Sequence, residues 1–411
     1  MRWRRITRLA FVGVLGMAFV LAAGCGTDPA RTLPEPTQTP ATAAPTPVPS
    51  AGATVRTTPT PDASPAQPAS RSVTVVMNGD LLWHNTLWYG AAEDARRQGR
   101  RGYDFAPALA GLKPVVSRAD LAICHQEVPL APAGGPFRNY PLFAAPPSVV
   151  DAIRATGYDL CTTASNHSLD QGFRGIVRTL DAFDRAKIRH VGSARSAREA
   201  ERPVIVTVRG GVRVAVVAAT FGLNGLDRPA GREWAVNLID ADAMISQAKR
   251  ARAAGADIVL AAVHAGTEYA TRENAQQVAL ARRLTASPAV DLVYMHHAHV
   301  VQPWTRMHGK WVVYGLGNTI AQHRTPGDRS YEGVTARFTF TADGKGPFRV
   351  TRAEYIPTLI TKYRPGAPAR VLQVSAALPQ ARGALRERLE LAQRRCTAVV
   401  TSKQVRGLRR G

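Results

Sequence analysis

Histidine, carboxylate and asparagine residues are concentrated in five short groups, each directly after an apolar, strand-like run. These groups contain seven of the ten histidines of the chain. Because the loops that follow strands converge at one edge of a sheet, we expect these side chains to form one site. The groups are Asn78-Gly79-Asp80 with His84, His125-Gln126-Glu127, Ser165-Asn166-His167 with Asp170, His264 with Glu268, and His296-His297-Ala298-His299.

Carboxylate and imidazole side chains in such numbers are typical of metal-assisted hydrolysis. They hold two divalent ions about 3.5–4 Å apart, which lower the pKa of a bound water. His297 and His299 are two residues apart, a spacing that places both imidazoles on one face of a strand. A further histidine beside the metals protonates a leaving group in such sites, and His167 next to Asn166 suits that role.

Each group taken alone has an ordinary structural explanation. Gly79 and Asp80 after a strand are usual in a turn or a helix cap, with Gly79 permitting the tight turn. Glu127 alone could be a surface carboxylate. The recurrence of five groups, each after a strand, favours a common site. Three histidines lack such neighbours and are predicted to be ordinary surface or core residues: His190, His308 and His323.

The elements that must position these groups are short. From residue 73 onward, β-branched runs such as 73–77, 121–124 and 258–264 alternate with amphipathic stretches of helical period such as 173–187. This alternation predicts an α/β layered fold.

The N-terminus is typical of a bacterial export signal. Four arginines precede an apolar stretch over 9–23, and small residues lead into Cys25. The run Leu21-Ala22-Ala23-Gly24-Cys25 looks like a lipobox, although Ala22 stands where a larger aliphatic residue is usual. We expect residues 1–24 to be a lipoprotein signal peptide, with Cys25 lipidated and the mature protein anchored to the outside of the cell membrane. Ordinary cleavage, an uncleaved membrane anchor and a twin-arginine signal are the alternatives.

The remaining chain divides by composition into three parts. Residues 25–70 are rich in Pro, Thr, Ala and Ser and are predicted to be a disordered spacer, because they cannot bury enough apolar surface to fold. Residues 71–362 are predicted to form the main domain, and 363–411 a helical extension with a basic tail.

The chain is strongly basic, with 53 Lys+Arg against 30 Asp+Glu and a net charge of +23. Removing residues 1–24 takes away four Arg and no acid, which leaves +19. An Arg-rich genome is one explanation, and attraction to a polyanion or an anionic membrane is the other. Nucleic acid is not expected as a partner of an exported protein without a recognisable fingerprint.

The cysteines form neither a zinc pattern nor a disulfide framework. Cys124 and Cys161 lie in apolar strand-like runs, and Cys396 lies near the C-terminus. We expect Cys124 and Cys161 to be buried thiols, with a bridge between them in an oxidising compartment as the alternative.

In their order, the motifs resemble the CapA (poly-γ-glutamate capsule biosynthesis) family of the calcineurin-like metallophosphoesterase superfamily. The resemblance runs over residues 73–359. The matching motifs are Gly79-Asp80, Gln126-Glu127, Ser165-Asn166-His167 with Asp170-Gln171-Gly172, the segment 264–269, His296-His297-Ala298-His299, and Gly315-Leu316-Gly317-Asn318.

The resemblance implies a four-layer α-β-β-α sandwich with two central mixed sheets. It also implies two divalent ions, of Mn, Fe or Zn by the nature of the ligands. Glu127 would bridge the two ions, His167 with Asp170 would act as the catalytic acid, and His296, Glu268 and Asn318 would line the site. The implied metal ligands are Asp80, Glu127, Asn166, His264, His297 and His299, with His84 as a less regular seventh.

The last histidine group departs from the family pattern. Met295 replaces a glycine and Ala298 replaces a proline. Because Met does not readily take the positive φ that Gly allows, we expect this loop to run differently.

Three functions follow from the resemblance. The first is a surface enzyme that hydrolyses or transfers poly-γ-glutamate or another anionic envelope polymer. The second is a membrane-tethered accessory that binds or exports the polymer for a separate membrane synthase or export subunit. The third is a surface phosphoesterase.

Overall fold

Two β-sheets, each covered on its outer face by helices, make up the part of the chain that the computed structural model describes, residues 70–323 and 325–411. The first sheet has the order β14-β13-β12-β1-β2-β3-β4, with β11 added beside β1 and β15 beside β13. Its strands are β1 (Arg71–Leu81), β2 (Leu121–Gln126), β3 (Leu160–Thr162), β4 (Arg189–Val191), β11 (Asn318–Ile320), β12 (Glu332–Ala342), β13 (Arg349–Ile360), β14 (Val371–Gln373) and β15 (Leu408–Arg410).

The second sheet has the order β5-β6-β7-β8-β10-β9. Its strands are β5 (Ile205–Thr207), β6 (Arg213–Thr220), β7 (Ile258–His264), β8 (Leu292–His296), β9 (Trp304–Met307) and β10 (Lys310–Val313). The helices are α1 (Asn85–Arg97), α2 (Ala106–Leu109), α3 (Lys113–Val116), α4 (Val149–Thr156), α5 (Gly172–Arg185), α6 (Ala197–Glu201), α7 (Ala241–Ala253), α8 (Ala275–Ala286), α9 (Val374–Ala377) and α10 (Gly383–Val400).

Both sheets are mixed. Strands β1 to β4 run parallel to one another, whereas β12 lies antiparallel to β1 and to β13. In the second sheet β6, β7, β8 and β10 are parallel, with antiparallel β5 and β9 at the edges. The parallel strands at the centre of each sheet are buried on both faces, which explains their continuous apolar runs.

Side-chain alternation divides the apolar residues into three main layers. Val75 and Ile123 of the first sheet pack against Val216 and Leu260 of the second in the core between the sheets. Alternate residues such as Val76 face α1 to α5, and Val259 and its neighbours face α7 and α8. The order is therefore helix, sheet, sheet, helix, and the predicted four-layer α-β-β-α sandwich with two mixed sheets is confirmed.

The segment after residue 362 contains both helix and strand. Helix α10 packs against β13, and β14 and β15 extend the first sheet from its β13 side. None of the helices in the described ranges has the length and apolar character needed to cross a bilayer. The predicted leader 1–24, the lipidated Cys25 and all but the last residue of the 25–70 spacer lie outside the described residues.

Cys124 and Cys161 are joined by a disulfide, which corrects the expectation of two buried thiols. The two residues are direct partners in the parallel pairing of β2 with β3, and their Cα atoms are 4.5 Å apart. This pairing brings the two Cβ atoms within the distance that a disulfide requires. The bridge between Cys124 and Cys161, which was the alternative expectation, is therefore the one that forms. Cys396 is a buried free thiol in α10.

Candidate metal centre

The polar groups predicted from the sequence meet where the parallel strands of both sheets end. In the first sheet Asp80 of β1 pairs in register with His125 of β2 and with Asn318 of β11. In the second sheet His264 of β7 pairs with His296 of β8. Parallel strands present their carboxyl ends at one edge, and here the two edges face each other.

Three overlapping groups of side chains have the spacing of a metal site. Within each group the ligand atoms lie within 4.8 Å of one another. The groups are Asp80 with Glu127 and His299, Asp80 with His125 and His296, and Glu268 with His297 and His299. All of these residues except the exposed Glu268 are buried.

Asp80 lies between two imidazoles. Its Oδ1 is 3.0 Å from His296 Nδ1, and its Oδ2 is 3.1 Å from His299 Nδ1. Burial alone would raise the pKa of Asp80, but the two histidines outweigh it and hold that pKa well below its usual value. His299 Nδ1 is also 3.0 Å from Asn318 Oδ1, so one nitrogen faces two acceptors.

Glu127 is a fully buried carboxylate within one of these groups. Both of its carboxylate oxygens are buried without a hydrogen-bond partner in the described ranges, and the nearest histidine nitrogens are 3.6 Å (His299) and 3.9 Å (His264) from Oε1. Burial raises the pKa of Glu127 well above its usual value. A buried carboxylate without partners is costly unless a cation neutralises it. The residues around Glu127 therefore fit a divalent metal, and the mixed oxygen and nitrogen donors suit Mn, Fe or Zn.

A chain of hydrogen bonds fixes the orientation of His264. Its Nε2 is 2.8 Å from Asn166 Oδ1, and its Nδ1 is 2.9 Å from His125 Nε2. His125 Nδ1 is in turn 2.8 Å from Thr162 Oγ1. Burial lowers the pKa values of His264 and His125 well below the usual value, so both rings are neutral. Because the Asn166 oxygen can only accept, His264 donates from Nε2 and accepts from His125 at Nδ1.

His167 and Asp170 form a close pair beside these ligands. His167 Nδ1 lies 2.7 Å from Asp170 Oδ2, which also accepts a hydrogen bond of 2.8 Å from the Phe143 amide. Burial raises the pKa of Asp170, and the hydrogen bond from His167 opposes that rise. Asn166 Nδ2 donates to Asn224 Oδ1 at 3.0 Å, which holds the neighbouring side chain in place.

The last histidine group is not built on strand alternation. Strand β8 ends at His296, and His297 and His299 follow in a loop with left-handed φ values of 83° and 55°. The two side chains come together because two residues of the loop take this conformation, which is uncommon without glycine. Met295, which replaces the family glycine, lies within β8.

His84 lies at the margin of the centre and belongs to none of the three groups among the described residues. Its Nδ1 is 3.2 Å from both the Gln322 amide and the Leu82 carbonyl. One ring nitrogen cannot donate to the carbonyl and accept from the amide at once, so the two contacts need different tautomers. The role of His84 as a metal ligand stays a prediction.

Two residues at the centre were not predicted. His323 packs edge-on against both His84 and His299, with ring centroids 4.7 Å apart in each case. Phe221 is 42% exposed and lies over His297 at 4.5 Å. His323 follows β11 as the other groups follow their strands, but β11 has only three residues and gives no apolar run. His190 and His308 lie outside the three groups.

Gly79 does not form the turn that the sequence suggested. It lies within β1, and a Cβ atom built there would be 1.8 Å from the Gly317 carbonyl oxygen. The amide of Asp80 donates to that same oxygen at 3.1 Å. Glycine is required at this position because two backbones meet there, and the contact sets the position of Asp80.

Gly79→Ala is expected to destabilise the fold by about 3 kcal/mol, since overpacking against backbone costs about 1–3 kcal/mol or more. It should also displace Asp80 and weaken metal binding. Chemical denaturation and metal titration measure the two effects. Gly134→Ala is the control, because a Cβ atom there meets nothing within 4 Å. Equal stability of the two variants would contradict the close contact.

Comparison with known proteins gives a family and a set of relatives. The model of the family described as "Bacterial capsule synthesis protein PGA_cap" matches residues 74–323. The "PGA biosynthesis protein CapA" of Bacillus subtilis is 28% identical over 209 residues, which are 49% of this chain and 52% of that protein. The "Capsule biosynthesis protein CapA" of Bacillus anthracis is 30% identical over 183 residues, 43% of each chain. The chain thus spans about half the length of the curated relatives it matches.

Solved structures of calcineurin-like phosphoesterases are similar in fold. The calcineurin-like phosphoesterase YfkN from Bacillus subtilis is similar over 79% of this chain and 100% of that chain, with a TM-score of 0.43 and 14% sequence identity.

Proposed function

Because the chain belongs to the PGA_cap family of bacterial capsule synthesis proteins, we propose that it acts on poly-γ-glutamate or a related anionic envelope polymer. The proposed chemistry is metal-dependent hydrolysis or transfer at the Asp80–Glu127–His299 centre. The observation that carries this proposal is the buried carboxylate of Glu127, which lies among imidazoles and Asp80 and has no hydrogen-bond partner in the described ranges. Burial of such a carboxylate is costly, and a bound cation would offset that cost.

The residues of the centre have separate tasks in this proposal. Asp80, Glu127, Asn166, His264, His297 and His299 would hold two divalent ions, with Glu127 between them. When bound, the ions supply Lewis acidity and lower the pKa of water. His167 donates a proton from Nε2 to the leaving group, and Asp170 stabilises the protonated ring through Nδ1. Phe221 and Tyr269, both 42% exposed, lie beside the rings of His297 and His299, with centroids 4.5 and 6.0 Å apart.

A non-enzymatic accessory is the second candidate function. The basic charge favours it, because a tethered cationic domain attracts an anionic polymer whether or not it cuts it. In that case the bound ions would hold polymer carboxylates, and separate membrane synthase or export subunits would perform the chemistry. Cleavage of the polymer by the protein distinguishes the enzyme from the accessory, which would only bind it.

An extracytoplasmic, lipid-anchored location is part of the proposal. The leader and Cys25 support it from the sequence. The Cys124–Cys161 disulfide supports it from the fold, since such bonds persist mainly in oxidising compartments. Mass spectrometry of the protein from bacterial membranes tests for the lipid on Cys25.

The test is metal content and turnover on one preparation of the full chain. We expect about two divalent ions per chain and cleavage of poly-γ-glutamate, with both lost in His297→Gln. His308→Gln is the matched control, because His308 lies in an exposed turn between β9 and β10. Bound metal with polymer binding but no cleavage would establish the accessory function. Cleavage of a phosphodiester alone would indicate a phosphoesterase, and the absence of metal would overturn the proposal.

A further inference from the structure

The positive charge of the chain is concentrated in its last fifth. Residues 324–411 contain 18 Lys and Arg against six Asp and Glu, a net charge of +12 out of +23. The family match ends at residue 323, so this charge lies beyond the part shared with the family.

Strands β12 and β13 direct their arginines to the outer face of the first sheet. Phe338 and Tyr355 belong to the core between the sheets, so the alternate residues Arg337, Arg352 and Glu354 face outward. Strand β15 adds Arg409, whose partner in register on β13 is Glu354. Directly paired residues of neighbouring strands share a face, so Arg409 lies on the same outer surface.

A cleft of about 510 Å³ opens above this surface, between the sheet and the segment around α3. Its floor is formed by Thr74, Thr339 and the β12–β13 arginines, and its wall by the apolar Pro114 and Val115. The residues around the cleft, with Arg409 added by its register, are Thr74, Pro114, Val115, Arg118, Ala119, Arg337, Thr339, Arg352, Glu354, Gln373 and Arg409.

The charges of the cleft do not balance. The buried Glu354 accepts from Arg337 Nε at 2.7 Å and from Arg352 Nη2 at 2.6 Å, so one carboxylate serves two guanidinium groups. Arg118 and Arg409 have no ion pair with any described residue, and Arg118 is exposed. Four arginine side chains therefore share this surface with one acidic side chain, Glu354.

The other nearby carboxylate does not neutralise the excess. Asp120 Oδ2 accepts a hydrogen bond of 2.7 Å from the Thr74 amide, and Asp120 Oδ1 lies 3.0 Å from Arg209 Nε. It is therefore already held by the backbone and by an arginine that does not line the cleft.

We propose that this arginine cleft binds the carboxylate groups of an extended polyanionic chain. Guanidinium groups pair with carboxylates in a bidentate manner, and Arg118 and Arg409 have donors available for such pairs. The apolar wall of Pro114 and Val115 accommodates the methylene groups of a chain such as poly-γ-glutamate. The identity of the polymer rests on the proposed function, whereas the carboxylate chemistry rests on the cleft alone.

The cleft is separate from the metal centre. Thr74 lies near the start of β1 and Asp80 near its end, so the two sites are about 20 Å apart along one strand. A small molecule cannot reach both sites, but a polymer can. The cleft therefore serves as a second attachment point that holds a long chain while one segment lies at the metal centre.

The test is the fluorescence anisotropy of labelled poly-γ-glutamate of defined length with the full chain, measured with a chelator so that metal binding plays no part. The double variant Arg118→Gln/Arg409→Gln is expected to weaken binding roughly tenfold, because two guanidinium–carboxylate contacts are lost. Arg185→Gln/Arg198→Gln removes the same charge from two exposed residues elsewhere and should change affinity less than about twofold.

Equal loss in the two double variants would overturn the proposal, because it would show attraction to net charge only. Absence of polymer binding by the wild-type chain would overturn it too. Neutral polyglutamine should not bind. Because the chelator removes the metal from every sample, a failure of the proposed metal-centre function does not affect this result. Thermal melts verify folding, which neither unpaired arginine is expected to affect.

Discussion

Glu127→Gln is expected to abolish tight metal binding while raising the melting temperature of the metal-free protein. The two effects have opposite consequences for stability, and they share one cause. The carboxylate of Glu127 is buried without a hydrogen-bond partner in the described ranges, so it binds a cation strongly when one is present and destabilises the fold when none is. Its raised pKa reflects the same burial.

The expected sizes follow from the contacts that are lost. Changing a residue that only orients a ligand costs about 10–100-fold in metal affinity, so loss of the central carboxylate should cost at least about 100-fold. Gln is neutral and removes the cost of burying or protonating the carboxylate, which is about 1–3 kcal/mol, or a rise of about 1–4 °C in Tm for a domain of this size. Calorimetric titration and thermal melts with and without chelator measure both.

A second buried glutamate provides the control. Glu332 is as buried as Glu127, but it accepts from Arg388 at 2.6 Å and lies 3.2 Å from Arg395. Glu332→Gln should therefore lower the Tm and leave metal affinity unchanged. A destabilised metal-free Glu127→Gln protein would show that this carboxylate has a structural partner instead of a metal.

The residues of the candidate metal centre could be predicted because each group of them follows its own strand directly in the sequence. An apolar run followed by His, Asp or Asn is visible in a single strand and its loop, as in 258–264 with Glu268. Parallel strands then bring the ends together without further information. The two sheets and their helical layers follow from the same alternation of short elements.

Other features depend on contacts between distant residues and could not be predicted. The need for glycine at position 79 arises from the carbonyl of Gly317, more than 200 residues later. The disulfide depends on the register that places Cys124 opposite Cys161. The left-handed conformations of His297 and His299 likewise contradict the simple strand alternation that their spacing suggested. These features depend on which distant residues come together in the fold, and no local sequence pattern shows that.

His167→Gln is expected to reduce kcat by about 10²–10⁴-fold without removing metal, since that is the usual contribution of a general acid. Polymer cleavage and metal content, measured on the same samples, separate a loss of proton transfer from a loss of ligand. His308→Gln is again the matched control. Unchanged turnover in metal-loaded His167→Gln would show that another group protonates the leaving group.

Asp170→Asn tests the same proton transfer by His167, because Asp170 contacts the other nitrogen of the imidazole ring. Asp170 Oδ2 accepts from both His167 Nδ1 and the Phe143 amide, so an asparagine oxygen in that place can keep both hydrogen bonds. The negative charge beside the imidazole is lost, which disfavours the doubly protonated ring. Turnover should therefore fall although His167 and the metal ligands are intact.

The pair of variants also separates the enzyme from the accessory. If the His167–Asp170 pair serves catalysis, both variants retain polymer binding and lose cleavage. If it serves only to hold the loop after β3, Asp170→Asn should lower the Tm without any selective effect on kcat. The hydrogen bond between the two residues exists in either case, so the change in kcat relative to Tm is the measurement that assigns its purpose.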